Sequence, residues 1–156
     1  METWNQMSSD AVRTHTPTQV NRRIDAHVEA CVRSMAERGD RVAMSQYLAK
    51  LEREWDLNRA VSVGASALAV LGLMMGRQDG GRWRVLSGVA AGLLLQHGLL
   101  GFGPLAGVMR ALGVRTRREI DLEKFALKAL RGDFERIPSD GGPLARANAA
   151  LVAAQS

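Results

Sequence analysis

The chain has 156 residues, a formal net charge of +5 and one cysteine. That length suits one ordinary domain, and a lone Cys31 excludes an internal disulfide and fits a reducing compartment. The basic excess is not interleaved with aromatics or zinc-binding spacing, so nucleic acid is not an expected partner.

Residues 1–16 are polar and Ser/Thr-containing, and read as a flexible N-terminus without the apolar block of a secretory signal. From residue 17 the pattern turns helical. Ile24, Val28, Cys31, Val32 and Met35 recur as one apolar stripe. Gly39 is a stop signal and Asp40 a cap for a second helix, whose Met44, Tyr47, Leu48, Leu51 and Trp55 share a face. Residues 17–56 therefore read as amphipathic helices on the cytoplasmic side, with their apolar stripes suited to a helix–helix seam.

Residues 57–116 carry two charge-free runs, seventeen residues from Ala60 to Gly76 and twenty-five from Val85 to Met109. A helix crossing the hydrocarbon core needs roughly 17–25 apolar residues. A two-helix transmembrane hairpin is the leading expectation. A soluble bundle burying both helices on all sides is the competing one, but the remaining residues offer little material to cover them. Seven basic residues flank the runs on the outer sides (Lys50, Arg53, Arg59, Arg110, Arg115, Arg117 and Arg118) against three in the connecting loop (Arg77, Arg82 and Arg84), which places both termini in the cytoplasm. Trp55 and Trp83, with Arg110 and Arg115, are the expected membrane-interface anchors. Anionic lipid headgroups suit the basic excess near the membrane.

Small residues recur at spacing four: Gly72 and Gly76 in the first run, Gly88 and Gly92 in the second, with Gln96 next in that series. In lipid, helices associate through close backbone approach and interhelical hydrogen bonds, so Gly72, Gly76, Gly88, Gly92 and Gln96 are the candidate helix–helix interface, within the hairpin or between protomers. Gln96 and His97 are the polar pair inside the second run. His97 lies about 100° further round the helix and invites a structural bond to a carbonyl, to Ser62 or Ser66 or to a headgroup, or else a ligand, proton or pore role. Gly101, Gly103 and Pro104 disfavour a straight helix, so the span is expected to end near Phe102, with Leu105–Leu112 a short helix at the cytoplasmic interface.

Residues 117–137 read as a cytoplasmic amphipathic helix with Ile120, Leu127, Leu130 and Phe125 on its apolar side, ended by Gly132. Residues 138–156 read as a Pro/Gly linker and an Ala-rich tail. The overall expectation is an all-α protein.

The stretches DLNRAVSVGASALAVLGLMMG, WRVLSGVAAGLLLQHGLLGFGPL and ALGVRT resemble the YgaP-like inner-membrane hairpin family of bacteria, over residues 56–116. The matching residues are Gly101, Phe102, Gly103, Pro104 and Leu105, then Gly113 and Thr116. Gly103 stands where that family usually has cysteine, and the chain has no rhodanese segment, so the resemblance implies a membrane hairpin able to dimerise and gives little support to sulfur transfer.

No paired nucleophile and base, metal-ligand spacing or phosphate loop occurs in the sequence. The expected role is a non-enzymatic bacterial inner-membrane protein, without cofactor or metal, that serves assembly or docking. Its expected partners are the lipid bilayer and itself or another membrane protein. The alternative is a small oligomeric transport or conductance protein with Gln96 and His97 lining the axis.

Overall fold

The computed structural model describes residues 10–79, 81–137 and 142–155. Every regular element among them is helical: α1 (Ala11–Thr14), α2 (Thr18–Arg38), α3 (Arg41–Glu52), α4 (Leu57–Asp79), α5 (Gly81–Leu100), α6 (Pro104–Ala111), α7 (Arg117–Arg131), a 3-10 turn at Asp133–Arg136, and α8 (Pro143–Gln155). They form two compact units. Of the described residues, one holds 10–26, 55–79 and 81–118, the other 27–54, 119–137 and 142–155.

In the first unit α4 and α5 pack side by side and antiparallel. Their register follows from two contacts: the Ser87 hydroxyl donates to the Ala69 carbonyl at 2.8 Å, and His97 Nε2 meets Asn58 Oδ1 at 3.1 Å. Close approach is possible because Gly72 and Gly76 lie against α5. A Cβ at Gly72 would stand 2.5 Å from Ser87 Oγ and 2.7 Å from the Trp83 carbonyl oxygen. Gly88 and Gly92 behave differently, for an added Cβ at either meets nothing within 4 Å. The half of the glycine series in α5 therefore takes no part in packing within the hairpin.

Helix α5 stops at Leu100, and α6 leaves at 85° to it. Gly101 makes the corner with φ +73°, a conformation that side chains rarely adopt, and the Ala11 Cβ lies 3.6 Å from where its own Cβ would be. Pro104 then opens α6, where its missing N–H costs nothing. Helix α6 crosses the first turns of α4, closing a core of Val12, Leu57, Val61 and Ala106.

The expectation of looseness through residue 16 is corrected from Asp10 onward; residues 1–9 lie outside the described residues. Asp10 Oδ1 caps α1 by accepting from the backbone N–H groups of Val12 (3.0 Å) and Arg13 (3.3 Å), and Val12 enters the core. A four-residue helix has too few internal bonds to stand alone, so its order comes from this tertiary anchoring.

In the second unit α3 starts at Asp40, whose carboxylate accepts from the N–H groups of Val42 and Ala43, and Gly39 precedes it with φ +61°. The core joins Leu48 and Leu51 to Ile120 and Leu127, with Val32, Met35 and Tyr47 packed against it. Helix α7 departs from its expected face. Leu130 and Phe125 are about half exposed, whereas Glu123 is fully buried beside Ile120 and Leu127. Its carboxylate accepts the Tyr47 hydroxyl at 3.2 Å, and Cys31 Sγ lies 3.0 Å from the same oxygen. The stretch 138–141 of the expected linker lies outside the described residues. The tail that follows is helical, and the Lys128 ammonium donates to the Ala154 carbonyl. Burial lowers the Lys128 pKa, with the neighbouring Lys124 adding to the effect.

The two kinds of glycine separate in a stability measurement. Gly72→Leu forces α4 and α5 apart and is expected to cost about 1–3 kcal/mol, the usual range for overpacking. Gly88→Leu meets nothing within the α4–α5 pair and is expected to cause no such strain, as followed by thermal unfolding with circular dichroism. Tyr47 gives a second test, because it is the chain's sole tyrosine. Burial raises its pKa from the ordinary 10.0, and the Cys31 and Glu123 contacts raise it further. Its contribution to stability is therefore complete below pH 10 and is lost as the pH climbs above that value. Tyrosinate absorbance at 295 nm should remain absent past pH 10 and rise only with unfolding, whereas Glu123→Gln should bring the rise to lower pH.

Candidate functional site

The sequence-predicted residues divide between two places. Gly72, Gly76 and Trp83 belong to the contact between α4 and α5. Gln96 is half-buried in the α5 series with Gly88 and Gly92, which faces out of the hairpin. The Gly88–Gly92–Gln96 stripe is thus not a contact within the hairpin. His97 is turned the other way and is only 7% exposed. Its partner is Asn58, in the first turn of α4, rather than Ser62 or Ser66. Because Asn58 Oδ1 is an acceptor, Nε2 carries the imidazole proton, and Nδ1 has no hydrogen-bond partner among the described residues. Its level beside the first turn of α4 puts His97 at the base of the hairpin.

That base is where the chain collects its polar groups. Arg13 is 8% exposed and clamps the buried Asp25 of α2 with two bonds, Nη1 to Oδ1 at 3.0 Å and Nη2 to Oδ2 at 2.8 Å. Asn21, one turn earlier on α2, donates to the Arg13 carbonyl at 2.9 Å and accepts from Arg110 Nη2 at 2.7 Å. Arg110 also donates to the Val114 carbonyl at 3.3 Å. Thr116 donates its hydroxyl to Asp10 Oδ2 at 3.0 Å, while the Arg115 carbonyl accepts the Leu57 N–H at 2.9 Å and so seats the start of α4. The His15 ring stacks on Phe102 at 3.7 Å, covering the corner between α5 and α6.

Two expected interface anchors are corrected here. Arg110 is 1% exposed and Arg115 is 7% exposed, so neither side chain projects from the surface. Arg110 lies on the side of α6 that faces α2, where the Val114 carbonyl and Asn21 accept from its Nη1 and Nη2, while its Nε has no hydrogen-bond partner among the described residues. Trp55 is half exposed, with the Arg59 guanidinium 4.9 Å over its ring, and Trp83 is half-buried. Gly103 caps α6 with extended backbone that any residue could adopt, and an added Cβ there would stand 4.0 Å from the His97 Cβ. Glycine in place of cysteine is therefore not required by the corner.

A cleft of about 240 Å³ opens beside this base, lined among others by Asp10, Asn58, Gly101, Thr116 and Arg117. Asp10, Asn58 and Thr116 each spend polar atoms on bonds within the chain. Among the described residues no group of three His, Cys, Asp or Glu side chains could hold a metal ion. The chemistry this arrangement supplies is mutual solvation of buried groups, which joins α1, α2, α4 and α6. Sequence reading missed Asp10, Arg13, Asn21, Asp25 and Asn58. A capping signal was legible, since Asp10 precedes a short helical stretch, but no local pattern pairs Arg13 with Asp25 or Asn21 with Arg110.

Breaking the buried pair from one side leaves a charge without its partner. Arg13→Ala is expected to destabilise the fold by about 3–5 kcal/mol, whereas Arg13→Met combined with Asp25→Leu should cost clearly less. Thermal unfolding of the three proteins under one set of conditions measures this. No family model, curated protein or solved structure matches the chain.

Proposed function

We propose that the chain is a non-enzymatic bacterial inner-membrane protein: a two-span hairpin, both termini cytoplasmic, that serves as a structural or docking subunit. One observation carries the reading. A helical stretch within Arg41–Gly76 is long and apolar enough to cross a membrane, and only 17% of its apolar window is buried inside the protein. In a soluble bundle such a window would be mostly covered. Here Val70, Leu71, Leu73 and Met74 stand half exposed or more, and Val85, Val89 and Leu95 do the same on α5. So much contiguous apolar surface calls for an apolar surrounding. Helix α5 meets the same length and composition criteria together with α6, as a bent pair. The charge asymmetry around the runs and the YgaP-like resemblance of residues 56–116 point the same way.

For the docking role, the supporting feature is the outward Gly88–Gly92–Gln96 stripe. Gln96 is a carboxamide on a face where backbones can approach closely, and a second copy presents the same donor and acceptor back to it. The conductance alternative gains nothing from the geometry, because His97 is engaged by Asn58 within its own hairpin.

A single workflow tests both parts. Membranes from expressing cells are washed in alkaline carbonate, then solubilised and sized by light scattering. Retention in the pellet and a mass above the monomer are expected, with Gly88→Leu and Gln96→Leu returning the protein to a monomer. Release by carbonate sinks the membrane assignment, and a monomer that also fails to cross-link in the native membrane sinks the assembly role.

A further inference from the structure

We propose that α6 is a lipid-embedded foot, lying along the headgroup–acyl boundary with Val108 and Leu112 in the bilayer and Arg110 turned into the protein. The inference rests on the membrane reading above and goes beyond it by assigning this face to lipid, not to water or to a protein partner.

Four observations carry it. The first is direction: α5 ends at Leu100, sixteen residues into the charge-free run that begins at Val85, about 24 Å at about 1.5 Å each. A helix leaving α5 at 85° runs across the direction of the span instead of extending it. The second is depth. Helix α6 packs on Leu57 and Val61 of α4, and the ends of Met109 and Leu105 lie 3.5 and 3.9 Å from a Cβ placed on Gly64. The stretch from Leu57 to Gly64 climbs about 10 Å, so α6 lies within the first two turns of α4, near the depth of about 5–10 Å at which interfacial helices settle.

The third observation is polarity. A helix lying between water and a protein core keeps its charges outside and its apolar stripe inside. Helix α6 does the reverse. Its one charge, Arg110, is 1% exposed and bonded to Asn21, while Val108 is 55% exposed and Leu112, at the C-cap, is 75% exposed. Gly107 and Ala111 complete an outward face without a polar atom beyond the backbone. The fourth is continuity. Leu99 and Leu100, at the end of α5, are likewise exposed, and no charged residue separates them from Val108 along the chain.

Nitroxide labelling of the full chain tests the assignment. In a Cys31→Ser background, which keeps a hydroxyl facing Tyr47, single cysteines are placed by Val108→Cys, Leu112→Cys and, as a deep reference, Val89→Cys. All three positions are exposed, so the labels leave the packing intact. The protein is reconstituted in phosphatidylcholine–phosphatidylglycerol vesicles, and collision with oxygen is compared with collision with a water-soluble nickel chelate. We expect the Val89 label to be deep, and the Val108 and Leu112 labels to be oxygen-accessible, shallow and equal in depth. A difference of about 6 Å between these two, the rise of four helical residues, would mean that α6 continues the span and overturns the proposal. So would strong nickel contact at both with the Val89 label still in lipid, because the face then meets water. Low access to both reagents at Val108 and Leu112 would mean that protein covers them. Nickel contact at Val89 would instead remove the membrane reading, and this inference with it.

Discussion

The Arg110 guanidinium decides how the base of the hairpin is put together. A fully buried cation needs fixed acceptors that stand in for its water. Asn21 of α2 and the Val114 carbonyl supply them. Asn21 spends its other end on the Arg13 carbonyl, and Arg13 spends its guanidinium on Asp25. One cation thus draws α1, α2 and the turn after α6 to a single place. Removing any member strands another in a region of low dielectric, so these groups stand or fall together.

Once Arg110 points inward, much else follows. The opposite side of α6 is left with Val108 and Leu112, which gives the helix an apolar outer surface. Its packing across Leu57, Val61 and Gly64 fixes the corner at Gly101, and the strap from Asp10 to Thr16 covers that corner through Ala11 and His15. His97 is gathered into the same base by Asn58. A histidine that sequence position alone places inside an apolar run is thereby located beside the first turn of the neighbouring helix.

The second unit handles its polar groups by the same rule on a smaller scale. Glu123 is buried on the apolar side of α7, and the cost of placing a carboxylate there is offset by bonds to neighbours, Tyr47 among them. The phenol is held protonated by burial and by that carboxylate, and Cys31 completes the chain. Leu130 and Phe125 stay about half exposed, while Ile120 and Leu127 pack with Leu48 and Leu51, and Tyr47 lies against that cluster.

Several features were set by the sequence alone. The two charge-free runs, the caps at Asp40 and Gly39, and the break around Gly101–Pro104 are local properties. Each depends on residue type and spacing within a few positions, and each appears in the helices where expected. The facing of α5 was decided only by tertiary structure. A helix apolar all round has no stripe to say which side turns inward, so periodicity could not choose between Gly88–Gly92–Gln96 and Ser87–His97. Packing against Gly72 and Gly76 of α4 made that choice. The burial of Arg110, Arg115 and Arg13 was equally invisible, because a charged residue reads as exposed until its distant partners are known. Asn21 lies 89 positions from Arg110, and Asp10 lies 106 from Thr116. Pattern within a segment reports the local rotation of the chain; the solvation of a buried charge is a property of the whole fold.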